Sequence, residues 1–444
     1  MKIQLRSIDG SITAPRGFSA SGVFCDIKRL GTGKGSDKGK KRDLALIISK
    51  VPATIAGMFT TNQICAAPVK VCLERVSQGS ARGIVVNSGN ANACTGKQGL
   101  ADAREMVRFA ERALNLPVRT MLVGSTGRIG VTMPMDEVRA GIIEAAVVLG
   151  TSRAHAAHAA EAIMTSDTRA KEVAVELKLG GKQVRIAGMC KGAGMIQPGM
   201  SQTGLRPAAR PLHATMLCFI TTDVAIDAKP LRAALQEAVA SSFNRITVDG
   251  DMSTNDTVLV LANGLAGNRA SRLTKPDSAD SMVFQAGLSH VCLELAKMIV
   301  RDGEGVSRFV TVRVSGARSD SDADAAARAV ANSALVKTSW HGGDPNWGRI
   351  IDALGYSAAK VVESKVDIGY SKPGSKKVLF SLRAGQATRA TFKQLCAAVA
   401  AKAFDLHINL NLGSGSALMY AADLTQEYVE FNQGDVSDPA SLGG

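Results

Sequence analysis

The residues from Lys191 to Asp223 run KGAGMIQPGMSQTGLRPAARPLHATMLCFITTD, a glycine- and proline-rich passage that turns abruptly apolar at Met216. The change falls at Ala214-Thr215. A threonine that opens a buried strand can act as a nucleophile once the bond before it is cut. The freed α-amino group, with an ordinary pKa of roughly 7.7–8, can then take the proton from the hydroxyl. Many threonines at strand starts are simply good β-formers, so this spacing alone leaves both readings open. A second candidate is Gly124-Ser125-Thr126-Gly127, a small turn after an apolar run. Such a turn can aim a hydroxyl and backbone N–H groups at one developing oxyanion.

Around these residues the chain alternates apolar runs and helical periodicity. Leu44-Ile48 and Gly83-Asn87 read as buried strands, and residues 119–130 as a strand entering the glycine turn. Helices are expected over Ala101-Leu114, Arg153-Ile163, Pro230-Phe243, Met282-Val300, Ala325-Val336 and Thr391-Phe404. Further strands are expected over Val173-Leu177, Lys377-Leu382 and His407-Leu412. The polar segments between them are loops: SGNANACTG at 88–96, MTSDTRAK at 164–171, and TSWHGGDPNWGRIIDALGY at 338–356. The last gathers Trp340, Trp347, His341, Asp344 and Arg349 in one glycine-rich stretch.

Composition narrows the function classes. The chain has 444 residues and is 45% hydrophobic, enough for two or three lobes with sizeable cores. It shows no run of 18 apolar residues and no apolar segment at its start, so neither a membrane span nor a secretory signal is expected, and the location expected is cytoplasmic. Eight cysteines lie without a CxxC, which suits buried thiols in a reducing compartment. The net charge is +14, and Lys28 to Arg42 contributes +6 of it through seven basic residues and Asp37. That segment reads as a solvated loop, and with only 4% aromatics the chain has little material for stacking bases. GTGKGS within it is no P-loop. His155, His158 and Glu161 read as the polar face of an alanine-rich helix, with no metal. Asp249, Asp251 and Asp256 do not match a calcium loop and read as groups that satisfy backbone donors.

Taken in order, STG, MTSD, KGAGMI, ATMLCFITTD, FNRITVDGDMSTNDT, RDGEG, KTSWHGGDPNWGRI and DLTQEYVEFN resemble the ornithine acetyltransferase (glutamate N-acetyltransferase) family of arginine biosynthesis. The resemblance covers nearly the whole chain, from GFSASGVFCDIK at 17–28 to Asn432. It implies an α/β (α+β) fold of the N-terminal-nucleophile kind, a layered sandwich of the DmpA and ArgJ type with a smaller C-terminal lobe. It further implies self-cleavage between Ala214 and Thr215 into an α chain of residues 1–214 and a β chain of residues 215–444, which stay together and pair as an α2β2 heterotetramer. Thr215 is then the nucleophile that carries acetyl from N2-acetylornithine to glutamate, and Thr126 with Gly127 forms the oxyanion hole. Matching residue by residue implies substrate contacts at Thr165, Lys191, Thr215, Glu304, Asn432 and Ser437. The partners implied are small amino-acid substrates, with no nucleic acid, no membrane and no cofactor beyond acetyl-CoA as an additional acetyl donor. The chain departs from the family by interposing Ser201–His213 before the cut and by a tail that runs past Ser437. A DmpA-like aminopeptidase or amidohydrolase and a non-catalytic binding protein are the alternatives.

Overall fold

The computed structural model describes residues 4–30, 41–205 and 216–433. Two compact units divide the chain: residues 1–244, 251–299 and 434–444 in the first, and residues 245–250 and 300–433 in the smaller second.

The first unit is built on a ten-stranded sheet. Its strands are β1 (Arg6–Ser7), β2 (Phe18–Val23), β3 (Leu44–Thr60), β4 (Ser80–Asn90), β5 (Met121–Arg128), β6 (Lys171–Leu179), β7 (Lys182–Lys191), β8 (Met200–Ser201) and β9 (Leu217–Thr222). The tenth, β11 (Thr257–Ala262), follows β10 (Ile246–Thr247), which belongs to the other unit. The main order is β1-β6-β7-β9-β11-β3-β4-β5, and β2 and β8 also pair with β3. All six residues of β9 and all six of β11 are buried. That is the reason these strands read as unbroken apolar runs rather than as alternating ones. β9 runs antiparallel to β7, with Lys191 opposite Leu217, and parallel to β11, with Leu217 opposite Thr257.

Helices α1 (Ile27–Leu30), α2 (Ala67–Val76), α3 (Gly96–Ala113), α4 (Met135–Val147), α5 (Arg153–Ala162), α6 (Ala228–Ala240) and α7 (Ala279–Arg301) complete this unit, although the last two residues of α7 fall in the second unit. The core joins β2–β5 to α2–α5 through residues such as Ile47, Val85, Met106, Val123, Ile142 and Ala159, all at most 1% exposed. Helix α7 is long and apolar enough by composition to cross a membrane, yet half of its most apolar window is buried inside the protein. A Cβ added at Gly188 of β7 would meet Leu295 at 2.8 Å and Val291 at 3.3 Å, so α7 lies directly against that strand.

The second unit carries a seven-stranded sheet ordered β10-β17-β12-β16-β13-β14-β15, with β12 (Phe309–Ala317), β13 (Asp367–Ser371), β14 (Leu379–Arg383), β15 (Gln386–Ala387), β16 (Ala403–Asn409) and β17 (Gly415–Ala422). Its helices are α8 (Asp320–Asn332), α9 (Ala334–His341), α10 (Trp347–Gly355), α11 (Phe392–Val399) and α12 (Gln426–Phe431).

Several sequence expectations shift. Gly124–Gly127 is not a turn after β5 but part of it, because parallel pairing with β4 continues to Asn90 through an irregularity at Gly89 and Asn90. The helix expected over Ala325–Val336 is broken at Ser333, whose extended backbone ends α8 and whose side chain accepts the Val336 N–H at the start of α9. The tryptophan stretch is two helices joined by residues 342–346 rather than one loop. Phe404 lies in β16, where it pairs with Val310, and not at the end of a helix. The histidine helix is as expected, and its polar residues have structural partners: His155 Nδ1 bonds Ser152 Oγ at 2.6 Å, and Glu161 receives Arg42 at 2.7 Å.

Candidate active site

Ala214, Thr215 and Ser437 lie outside the described residues, as does most of the Ser201–His213 insertion. The chain re-enters description at Met216, fully buried and bonded on both sides of its peptide unit to the residues that open β11. Its N–H donates to Asp256 Oδ1, and its carbonyl accepts the Thr257 N–H at 3.0 Å.

The same short segment, Ser253 to Thr257, also holds the strand that carries Thr126 and Gly127. Asn255, 3% exposed, donates through Nδ2 to Ser125 O at 2.8 Å and to Ala91 O at 2.7 Å. Its own Oδ1 accepts from Thr254 Oγ1 at 2.5 Å, and its N–H is held by Ser253 Oγ at 2.9 Å. Adjacent side chains, Asn255 and Asp256, thus tie the Ser125-Thr126-Gly127 segment and the Met216 amide to one place.

Thr126 is buried at 2% exposure. Gly127 has φ +127°, and a Cβ there would sit 2.4 Å from the Gly89 carbonyl carbon and 2.6 Å from Asn90 N. Only glycine fits that approach to β4. The amide loop beyond β4 is itself braced, with Asn90 Nδ2 on the carbonyls of Val131 and Thr132 and Asn90 Oδ1 on the Asn92 N–H.

Lys191 ends β7 at 3% exposure. Thr165 is half-buried in the loop before β6, and its N–H donates to Asp167 Oδ2 at 3.0 Å. Asp167 Oδ1 accepts Lys171 Nζ at 2.6 Å and the Gly192 N–H at 2.7 Å, so it joins the Thr165 loop to the segment that follows Lys191. Burial would raise this carboxyl, but the Lys171 and Lys191 cations and its hydrogen bonds hold it well below the usual carboxylate range. Asp256 behaves oppositely. Burial pushes its carboxyl well above that range, and the Met216 N–H and the Lys191 cation only partly oppose this.

In the second unit Glu304 and Asn432, distant in sequence, are brought together: Asn432 Nδ2 donates to Glu304 Oε2 at 3.0 Å. The turn that carries Glu304 is clamped by Thr425, which donates to Gly305 O at 2.7 Å and caps α12 by accepting the Tyr428 N–H at 3.0 Å. Gly305 has φ +64°, and a Cβ there would come within 2.4 Å of Tyr428 N.

The sequence alone does not single out Asp167, Lys171, Asn255 and Asp256 as site residues. The expectation that Asp256 satisfies backbone holds for one of its oxygens. The signal for all four is position: two stand in MTSDTRAK and two in DMSTNDT, segments that the family resemblance matches.

The ArgJ family model matches residues 21–434. The chain is 47% identical over 425 residues to the arginine biosynthesis bifunctional protein ArgJ of Symbiobacterium thermophilum, covering 95% of this chain and 98% of that protein. It is 42% identical over 431 residues to the glutamate N-acetyltransferase of Methanocaldococcus jannaschii, covering 96% and 99%. A solved structure of ornithine acetyltransferase from Mycobacterium tuberculosis in complex with ornithine is 35% identical, with a TM-score of 0.40, over 45% of this chain and 100% of that one.

Proposed function

The chain belongs to the ArgJ family, and from that premise we propose that it is an acetyltransferase moving acetyl from N2-acetyl-L-ornithine to L-glutamate through an acyl-Thr215 intermediate. The observation that carries the reading is the common anchorage at Asn255 and Asp256. It fixes the Thr126-Gly127 strand and the amide directly after residue 215 at one buried point.

In this reading the chain is first cut between Ala214 and Thr215. The new α-amine takes the Thr215 hydroxyl proton as Oγ bonds to the acetyl carbonyl carbon, and Thr126 and Gly127 donate to the oxyanion. The C–N bond to ornithine breaks, the amine returns its proton to the leaving nitrogen, and acetyl-Thr215 remains. Glutamate then attacks the ester, and the same steps in reverse release N-acetylglutamate. Lys191 supplies a cation for the amino-acid carboxylate, Glu304 an anion for the ammonium end, and Thr165, Asn432 and Ser437 further substrate contacts.

The sheet order supports fragments that stay together after the cut. β9 and β11 come after it, yet β9 pairs with β7 and β11 with β3, and both β7 and β3 come before it. The same reading includes an α2β2 assembly, a cytoplasmic location, acetyl-CoA as a second acetyl donor, and no metal or organic cofactor.

Intact mass under denaturing conditions tests it. Two fragments are expected, the second starting at Thr215 and gaining one acetyl group on incubation with N2-acetylornithine, and losing it when glutamate is added. A single full-length mass overturns the reading. Release of free acetate at the same rate without an acceptor would identify a hydrolase instead.

A further inference from the structure

Asp167 is buried at 2% exposure, and donors fill both of its oxygens. Oδ1 accepts Lys171 Nζ at 2.6 Å and the Gly192 N–H at 2.7 Å, and Oδ2 accepts the Thr165 N–H at 3.0 Å. These contacts lie where the sheet stops. The β6–β7 ladder has its last rung at Lys171 and Cys190, and the β7–β9 ladder has its last at Lys191 and Leu217. Past those rungs Thr165 sits in an irregular loop, and Gly192 leaves β7 at φ +149°, a conformation glycine adopts without strain. Strand pairing fixes neither backbone there, and the carboxylate does. Two substrate contacts of the proposed reaction, Thr165 and Lys191, therefore flank a single buried anion.

We propose that Asp167 is a positioning residue for substrate binding: it locks the Thr165 loop to the Lys191–Gly192 end of β7, so that Thr165 and Lys191 close together on the α-carboxylate that N2-acetylornithine and glutamate share. This rests on the acetyl transfer proposed above. In this role Asp167 acts through the backbone of its neighbours and exchanges no proton with the substrate.

A carboxylate suits the task because both of its oxygens accept, whereas an amide offers one acceptor and one donor group. An asparagine at 167 that keeps its oxygen toward Lys171 and Gly192 retains two donors, one of them a cation. Its Nδ2 then faces the Thr165 N–H, donor against donor, and the Thr165 loop is released. The opposite orientation turns Nδ2 toward the buried Lys171 cation and is the worse of the two.

The test is steady-state kinetics of Asp167→Asn with each substrate varied in turn. KM for N2-acetylornithine and KM for glutamate are each expected to rise about 10-fold, the equivalent of one charge-assisted hydrogen bond, with kcat within about threefold of wild type. A double-mutant cycle separates positioning from general damage to the fold. In a Thr165→Ala background, Asp167→Asn should raise either KM by less than about twofold further, because the side chain it positions is already gone. Where Asp167→Asn does not fold, Asp167→Glu carries the same comparison, since it keeps the charge for Lys171 but moves both oxygens outward along the side chain. Unchanged KM values, a loss confined to kcat, or the same rise of about 10-fold repeated in the Thr165→Ala background each overturn the proposal. So does failure of both Asp167 variants to fold, because the carboxylate would then serve the fold before any substrate binds. The wild type separates the two levels: if it transfers no acetyl, the functional reading falls and this inference with it, whereas an active wild type beside an indifferent variant removes only the role of Asp167.

Discussion

Two aspartates influenced by the same lysine have opposite electrostatic fates. Asp167 and Asp256 are both buried, at 2% and 0% exposure, and Lys191 lowers the carboxyl of each. Asp167 is saturated by Lys171 and by the N–H groups of Gly192 and Thr165. Asp256 has the single N–H of Met216. Burial acts on both in the same direction, so the number of donors and the nearness of a second cation decide which one stays ionised. The saturated aspartate is a structural rivet, and the unsaturated one has capacity left for a proton.

The largest break of this contrast comes from removing the cation of the saturated member. Lys171→Met keeps the length of a fully buried side chain but strips Asp167 of its closest partner. Losing one half of a buried ion pair is expected to cost about 3–5 kcal/mol, read as a lower midpoint in urea with an unchanged m-value. A loss below about 1 kcal/mol would mean that the N–H groups alone sustain the charge, and that the lysine is not what separates Asp167 from Asp256.

The frame around these residues was largely legible in the sequence. Leu44–Ile48, Gly83–Asn87 and the apolar run at Met216–Ile220 read as strands because the central positions are buried on both faces, and the helix expected over Ala101–Leu114 is found as α3 with a slightly earlier start. The errors fell where pairing overrode local preference. Phe404 follows a helical pattern, but it is drawn into β16 by the ladder to β12, where it packs edge-on against Trp340 and Tyr370. The site was less legible, because its decisive contacts are long-range. Asn255 reaches Ser125 across 130 residues, and Asp167 reaches Gly192 across 25. No periodicity records such contacts. The family resemblance implies Glu304 and Asn432 separately as substrate contacts, whereas their bond to each other is visible only in the fold, since a glutamate between two glycines reads locally as an exposed turn.

A smaller effect sharpens the comparison through pH. A carboxyl held below its unfolded value contributes stability that is fully present above the unfolded pKa of about 4 and is lost as pH falls toward the folded value. Asp167 is in this class. Asp167→Asn should therefore cost about 2 kcal/mol near neutral pH, and the gap from wild type should narrow below about pH 4, measured by urea unfolding at stepped pH. A gap that stays constant down to about pH 2 would assign the loss to packing rather than to charge.

The smallest effect is expected at Asp256, in a chain that is kept whole. Thr215→Ala removes the proposed nucleophile and with it the proposed cut, so the chain stays whole. A carboxyl raised by burial stays protonated in the folded protein while its unfolded counterpart ionises, so it loses stability as pH rises above about 4. Asparagine has no such term. Comparing Thr215→Ala with Thr215→Ala/Asp256→Asn at pH 5 should give a difference under about 1 kcal/mol, because a neutral amide replaces a largely neutral acid of the same shape. From pH 5 to pH 8 the asparagine form should gain on its parent, the reverse of the trend at Asp167. If the asparagine form instead loses ground as pH rises, Asp256 is ionised in the uncut chain, and the distinction between a saturated and a waiting carboxylate fails at its weaker member.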